Sequence, residues 1–187
     1  ACLIPFVIFK DWFTEISEDS SIFAEGLCFL YTAALLFMAD KCTKGNRASK
    51  DITVKNAVTV GFFQGVALLP GVSRSGSTIS AGLFSGFSRE TAVQYSFILG
   101  IPAILGGCVL EIKDAVGESA GTGASVAECI VGFIVAAIVG ICAIKLVNWL
   151  VKTDKFKIFG YYTFILGIIV IVVSIIERFV GGPLIIG

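Results

Sequence analysis

One short polar stretch, LLPGVSRSGSTIS at residues 68–80, places an arginine, five hydroxyl residues and two glycines side by side in the chain. Arg74 offers a planar guanidinium whose N–H donors match two oxygens of a phosphate. The hydroxyls around it add donors, two glycines let backbone N–H groups approach an anion closely, and an N-terminal helix end favours negative charge. The stretch therefore predicts a phosphate-binding loop. Its members are Arg74, the hydroxyl residues Ser73, Ser75, Ser77 and Thr78, and the glycines Gly71 and Gly76.

The simpler alternative is a polar turn in which Ser77 or Thr78 caps a helix, but a cap does not require an arginine. The hydropathy and charge patterns described below predict that this loop lies deep in a membrane. An arginine at mid-membrane depth costs about 3 kcal/mol on insertion scales, so Arg74 needs an anionic partner or water. Glu90 adjoins Arg89, which leaves no obvious internal carboxylate for Arg74. An external anion is the natural partner.

The rest of the chain is apolar. Hydrophobic residues make up 56% of the 187 positions and charged residues 15%, with a mean hydropathy of +0.94, which predicts a membrane protein. The net charge is zero and gives no indication of nucleic-acid binding. Histidine is absent from the sequence, which excludes imidazole as a base, nucleophile or metal ligand within this chain.

Four apolar stretches are long enough to cross about 30 Å of hydrocarbon as helices, at residues 22–39, 92–110, 127–151 and 158–176. The apolar stretch at 57–69 is different, because its residues extend roughly 20 Å as a helix and cannot cross. It stops at a Pro–Gly pair, and apolar sequence resumes at 79–87 after the polar loop. The pattern predicts an all-α, polytopic helical bundle containing one broken segment.

Loop charges predict how these segments are oriented. The loops at 41–55 and 152–157 are basic and are expected in the cytoplasm, whereas those at 11–25 and 111–128 are mostly acidic. The span at 92–110 already supplies the single crossing needed between a basic and an acidic loop. Residues 57–88 must then enter and leave on one side, as a re-entrant hairpin whose tip is buried in protein or lines a wet cavity.

The stretch GFFQGVALLPGVSRSGSTISAGLFSGFSRETAVQYSFILGIPAILGG, at residues 61–107, closely resembles the bacterial undecaprenyl-diphosphate phosphatases of the bacitracin-resistance (BacA) type. The P-G-x-S-R-S-G-x-T core is highly specific to that family. The resemblance covers essentially the whole chain as the family's C-terminal two thirds. It implies an inverted-repeat architecture, of which this sequence, starting at an alanine inside an apolar run, is expected to be an N-terminally truncated part.

The implied activity is removal of the terminal phosphate from undecaprenyl diphosphate. This reaction regenerates the carrier for peptidoglycan synthesis and confers resistance to bacitracin. Motif matching implies that Arg74 grips the diphosphate, with hydroxyl donors from Ser73, Ser75 and Thr78 in a loop shaped by Gly71 and Gly76. Gln64 matches a glutamate of the other repeat, and the family's E-x-x-x-E and V-S-S-x-G-H segments are absent from this sequence. The attacking group, water or a serine hydroxyl, stays open.

The family also implies a divalent cation, Mg²⁺ or Ca²⁺, for which this chain shows no ligand cluster. The expected partners are the polyprenyl diphosphate substrate, membrane lipids and a homodimer partner, with no nucleic acid. The expected location is the bacterial plasma (inner) membrane, with the site opening to the outer face. Two alternatives are a lipid transporter or flippase, since broken helices are typical of transporters, and a catalytically silent part of a larger protein.

Overall fold

The computed structural model describes residues 22–42, 45–117, 126–153, 155 and 157–180. Within these residues the chain forms six α-helices and one short 3-10 turn, and no β-strand. The prediction of an all-α fold is therefore confirmed. The helices are α1 (Ile22–Lys41), α2 (Val54–Val66), α3 (Arg74–Phe84), α4 (Arg89–Gly117), α5 (Val126–Lys152) and α6 (Lys157–Val180).

Four of the helices are long and apolar enough to cross a membrane, over Ile22–Lys41, Arg89–Val109, Ala127–Lys152 and Lys157–Phe179. They agree with the four predicted spans to within a few residues, so the prediction of a multi-pass membrane protein is confirmed. The apolar residues 1–9, Lys44 and most of the two acidic loops, at 11–21 and 118–125, lie outside the described residues.

Helices α2 and α3 form a helix–loop–helix hairpin inside the bundle. With 13 and 11 residues, they extend roughly 20 Å and 16 Å, and neither could cross the hydrocarbon alone. Thr53 caps α2, because its hydroxyl accepts from the N–H of Asn56 at 3.4 Å and the Asn56 side chain accepts from the N–H of Thr53 at 3.1 Å. The placement of the hairpin in a bilayer stays a prediction.

The two outer ends of the hairpin are joined by the segment before α2. The backbone N–H of Arg47 donates to Gly86 at 3.1 Å, and the N–H of Ser88 donates back to Arg47 at 3.0 Å. The Arg47 guanidinium also donates to the Asn56 side chain at 3.3 Å, near the start of α2. The chain therefore enters and leaves the hairpin at the same end.

The same end of the bundle holds the second basic segment. The Arg89 guanidinium, at the start of α4, donates to the carbonyl of Val151 at the end of α5 over 2.8 Å. Lys152 and Glu90 form an exposed ion pair at 3.1 Å across the same junction. The other nitrogen of Arg89 lies 3.9 Å from Asp40, at the end of α1. Both basic segments thus lie at one end of the molecule.

The core surrounds α3, where every residue from 76 to 83 is buried. Helix α3 packs against α1, α2 and α4, and the apolar cluster between them includes Leu36, Val60, Ile79, Leu83 and Phe87. By contrast, α5 has no buried residue from 127 to 149, and its exposed side chains are the apolar type that lipid tails contact. Among the helices that the structure describes, the one that begins with Arg74 has the longest run of buried residues.

Candidate phosphate-binding site

The loop before α3 makes a tight turn against α1. Gly71 has a φ of +84°, a left-handed conformation that favours glycine. A Cβ atom at this position would lie 2.8 Å from the carbonyl oxygen of Glu25 and 3.0 Å from the Cβ of Cys28. Gly71 therefore meets two requirements, the backbone conformation and the close approach to α1.

Ser73 is the N-cap of α3, with its hydroxyl accepting from the N–H of Gly76 at 3.1 Å. Its own N–H donates at 3.2 Å to the hydroxyl of Thr32, which in turn donates to the carbonyl of Cys28 at 3.0 Å. Thr32 is fully buried in the middle of α1. The cap is thus Ser73, and the alternative that placed it at Ser77 or Thr78 is wrong by about one helical turn.

Because the helix starts at Arg74, two backbone donors are left for an anion. The N–H groups of Ser73 and Gly76 are bonded as described, and that of Ser77 donates to the carbonyl of Ser73 at 2.9 Å. Within the described residues, the N–H groups of Arg74 and Ser75 have no protein acceptor. These two groups point out of the positive end of the helix dipole, where an anion is favoured.

The Arg74 side chain reaches across to α4. Its Nη2 lies 3.6 Å from the position that a Cβ on Gly100 would occupy, so this glycine leaves the guanidinium room at the helix surface. Among the described carboxylates, none lies within 4.0 Å of the guanidinium. Arg74 is half-buried, without an internal counter-ion in that part of the chain, which is the situation expected of an anion-binding arginine.

The predicted hydroxyl donors fall into two groups. Ser75 is exposed and lies beside the free N–H groups of the first turn. Ser77 and Thr78 are buried, at 0% and 2% exposure, and the Ser77 hydroxyl has no described hydrogen-bond partner. The structure therefore brings Arg74, Ser75 and the helix end together on an accessible surface, but it places Ser77 and Thr78 on the protein side of the helix.

The Thr78 hydroxyl is already engaged inside the protein. It lies 2.9 Å from the carbonyl oxygen of Arg74 and 2.6 Å from the hydroxyl of Ser96 on α4. Sequence reasoning missed both Ser96 and Thr32 as neighbours of the loop, because 18 and 41 residues separate them from their partners. The only available signal was that each is a hydroxyl residue within a predicted span.

Gln64, for which the family resemblance implies a counterpart glutamate in the other repeat, is 4% exposed on α2. It shares one face of that helix with Asn56 and Val60, at spacings of four and eight residues, and all three are buried. Among the described residues no group of three or more Asp, Glu, Cys or His side chains could hold a metal ion.

Comparison with known proteins finds relatives over most of the chain. A family model described as "Bacitracin resistance protein BacA" matches residues 1–169. A protein of Alkaliphilus metalliredigens named undecaprenyl-diphosphatase is 41% identical over 170 residues, covering 91% of this chain and 61% of the relative. A second protein named undecaprenyl-diphosphatase, from Halothermothrix orenii, is 39% identical over 170 residues, covering 90% of this chain and 64% of the relative.

A third protein with the same name, from Methanothermobacter thermautotrophicus, is 40% identical over 173 residues, covering 91% of this chain and 93% of the relative. The chain thus spans about three fifths of the length of the first two relatives and most of the third. All three matches extend over the hairpin and the helices around it, as does the family match. The chain belongs to the bacitracin resistance protein BacA family.

Proposed function

We propose that this protein takes part in hydrolysing undecaprenyl diphosphate to undecaprenyl phosphate and inorganic phosphate, which recycles a lipid carrier and confers bacitracin resistance. The observation that carries the proposal is the start of α3. An arginine without a described counter-ion and two free backbone N–H groups converge there, beside the exposed hydroxyl of Ser75. The activity named for the relatives requires a diphosphate to be held within a membrane protein, and this surface has the chemistry to hold one.

In the proposed reaction a P–O–P bond breaks, a bond forms between the terminal phosphorus and an attacking oxygen, and the lipid monophosphate leaves. Catalysis of phosphoryl transfer is mostly positioning and neutralisation of the charge on the phosphate oxygens. Arg74 and the N–H groups of Arg74 and Ser75 supply that neutralisation from a helix fixed by its burial. Because residues 54–84 contain no Asp, Glu or His, the group that accepts the attacking proton comes from outside the hairpin.

The contacts of the loop support a position deep in the membrane. The loop bonds to Thr32, halfway along α1, and Arg74 reaches Gly100, near the middle of the apolar window Arg89–Val109 of α4. Both helices are long enough to cross, and on the proposal that they do, their midpoints lie near the middle of the bilayer. These contacts favour the re-entrant placement of residues 57–88.

We also propose that the end holding the basic segments 41–55 and 152–157 faces the cytoplasm, in a plasma membrane. Basic residues are enriched in cytoplasmic loops, and the hydrogen bonds of Arg47 and Arg89 place these two segments at one end of the bundle. The loop tip, turned away from that end, would then open toward the outer face. Homodimer formation remains an expectation, which cross-linking in native membranes would check.

The test is phosphate release from a long-chain polyprenyl diphosphate by the detergent-solubilised chain, assayed alone and together with a first repeat that carries the E-x-x-x-E and V-S-S-x-G-H segments absent here. We expect release that Arg74→Ala abolishes and that Ser85→Ala leaves within about twofold, since Ser85 lies beyond the far end of α3. Repeating the assay with Mg²⁺, with Ca²⁺ and with chelator tests the proposed cation requirement. Phosphate release by Arg74→Ala at the wild-type rate would refute the proposal, as would lipid-dependent flux in liposomes that contain the protein without any release of phosphate.

A further inference from the structure

One buried hydrogen bond links the phosphate-binding helix to a neighbouring span. The hydroxyl of Ser96 on α4 lies 2.6 Å from that of Thr78 on α3, and the two residues are 6% and 2% exposed. Thr78 stands in the second turn of α3, four residues after Arg74. Nothing in the sequence motif itself points to Ser96, which lies outside the P-G-x-S-R-S-G-x-T core.

Counting protons assigns a direction to this bond. The Thr78 hydroxyl carries one proton, and its nearest backbone acceptor is the carbonyl oxygen of Arg74, at 2.9 Å. A second carbonyl, that of Ser75, lies farther away at 3.3 Å. If the proton of Thr78 goes to the Arg74 carbonyl, the 2.6 Å contact requires Ser96 to donate to Thr78. The chain of donors therefore runs from Ser96 through Thr78 to the backbone of Arg74.

We propose that Ser96 is a positioning residue for the phosphate-binding loop and acts through Thr78 on the first turn of α3. That turn carries the Arg74 guanidinium and the two free N–H groups, so a shift in its carbonyls also shifts the donors that face the anion. Gly100 lies four residues after Ser96, on the same face of α4. A Cβ atom added to Gly100 would lie 3.6 Å from Nη2 of Arg74, so this glycine faces the guanidinium. Helix α4 thus supports both the backbone and the side chain of Arg74.

In this assignment Thr78 orients the site and does not donate to the phosphate, because its one proton stays inside the protein. The inference rests on the proposed function, since it presumes that the loop binds a diphosphate. A bond that merely packed α3 against α4 would affect the stability of the fold. It would leave the anion affinity of the folded protein unchanged, which separates the two roles.

The experiment measures the Kd of the full chain for inorganic diphosphate together with the thermal unfolding temperature, and then kcat and KM on a polyprenyl diphosphate. We expect Ser96→Ala and Thr78→Val each to weaken diphosphate binding about tenfold, the size typical of a lost buried hydrogen bond. The double variant should bind no more weakly than either single one, because both remove the same link. Thr78→Ser, which keeps the hydroxyl, should bind close to the wild-type affinity.

Ser80→Ala is the matched control. Ser80 lies on the same helix, is also fully buried, and its hydroxyl has no described hydrogen-bond partner. Removing it should leave both the Kd and kcat unchanged. If Ser96→Ala does not fold, Ser96→Cys keeps a side chain of similar shape with a much weaker donor and should show the same loss of affinity.

The outcomes separate the two proposals. A wild-type chain that binds no diphosphate, or binds it equally well with Arg74→Ala, would overturn the proposed function itself. A wild-type chain that binds diphosphate through Arg74, while the folded Ser96→Ala or Ser96→Cys variant binds it with the same Kd, would overturn only the role of Ser96. Tenfold weaker binding without a matching loss in Ser80→Ala would establish that role.

Discussion

Two glycines with nearly the same backbone conformation provide a quantitative test of how the phosphate-binding loop is held. Gly71 has a φ of +84° and Gly86 a φ of +81°. An added Cβ at Gly71 would lie 2.8 Å from the backbone oxygen of Glu25 in α1, whereas at Gly86 its nearest neighbour would be the flexible side chain of Arg47 at 3.7 Å. Alanine at the two sites therefore carries the same conformational cost, and only Gly71 carries a steric one.

The expected loss in the free energy of unfolding follows from these two terms. A left-handed conformation costs a residue with a Cβ about 1–2 kcal/mol, which is the whole cost expected for Gly86→Ala. Overpacking against a fixed helix backbone adds about 1–3 kcal/mol, so Gly71→Ala should lose about 2–5 kcal/mol. The loss of unfolded-chain entropy on replacing glycine offsets both costs by roughly 0.4–1 kcal/mol, which leaves net losses of roughly 0–1.6 kcal/mol for Gly86→Ala and roughly 1–4.6 kcal/mol for Gly71→Ala and does not change their difference.

Equilibrium unfolding of both variants in one detergent measures the difference directly, and the Kd for inorganic diphosphate measures its effect on the site. Gly71→Ala should also weaken diphosphate binding, because relieving the clash moves the loop that precedes Arg74. Gly86→Ala, at the opposite end of α3, should bind normally. Equal losses of stability in the two variants, or normal binding by a folded Gly71→Ala, would refute the assignment of the loop against α1.

Three further predictions concern the site and its orientation. Arg74→Ala should abolish phosphate release while the protein keeps its unfolding temperature, and Ser85→Ala should retain activity; severe loss in Ser85→Ala would mean that the site is misplaced. Thr32→Val should lower the free energy of unfolding by about 1–3 kcal/mol, because the N–H of Ser73 loses its acceptor, and Thr32→Ser should restore it; equal stability of the two variants would contradict the bond. A single cysteine at Asn46, in a background without other cysteines, should be shielded from impermeant reagents in intact cells, and ready labelling from outside would overturn the proposed topology.

The sequence alone predicted the four spans, the short broken segment and the phosphate chemistry of its loop, and the structure confirms the spans. These features could be predicted because they are local: hydropathy over about 20 residues decides whether a helix can cross, and the donors of the loop are adjacent in the chain. The shortness of α2 and the polar interruption before α3 are also local features, so the sequence alone predicts them.

The tertiary structure decided which of those donors face an anion. Ser73 caps α3 because Thr32 of α1 accepts its N–H, and this choice turns Arg74 and Ser75 outward while it buries Ser77 and Thr78. The sequence predicts Ser77 or Thr78 as the cap, although every hydroxyl residue of the loop has the chemistry to cap a helix. The positions of α1 and α4 decide which hydroxyl residue caps the helix. Contacts with those two helices join residues far apart in the chain, and no local pattern of residues specifies such contacts.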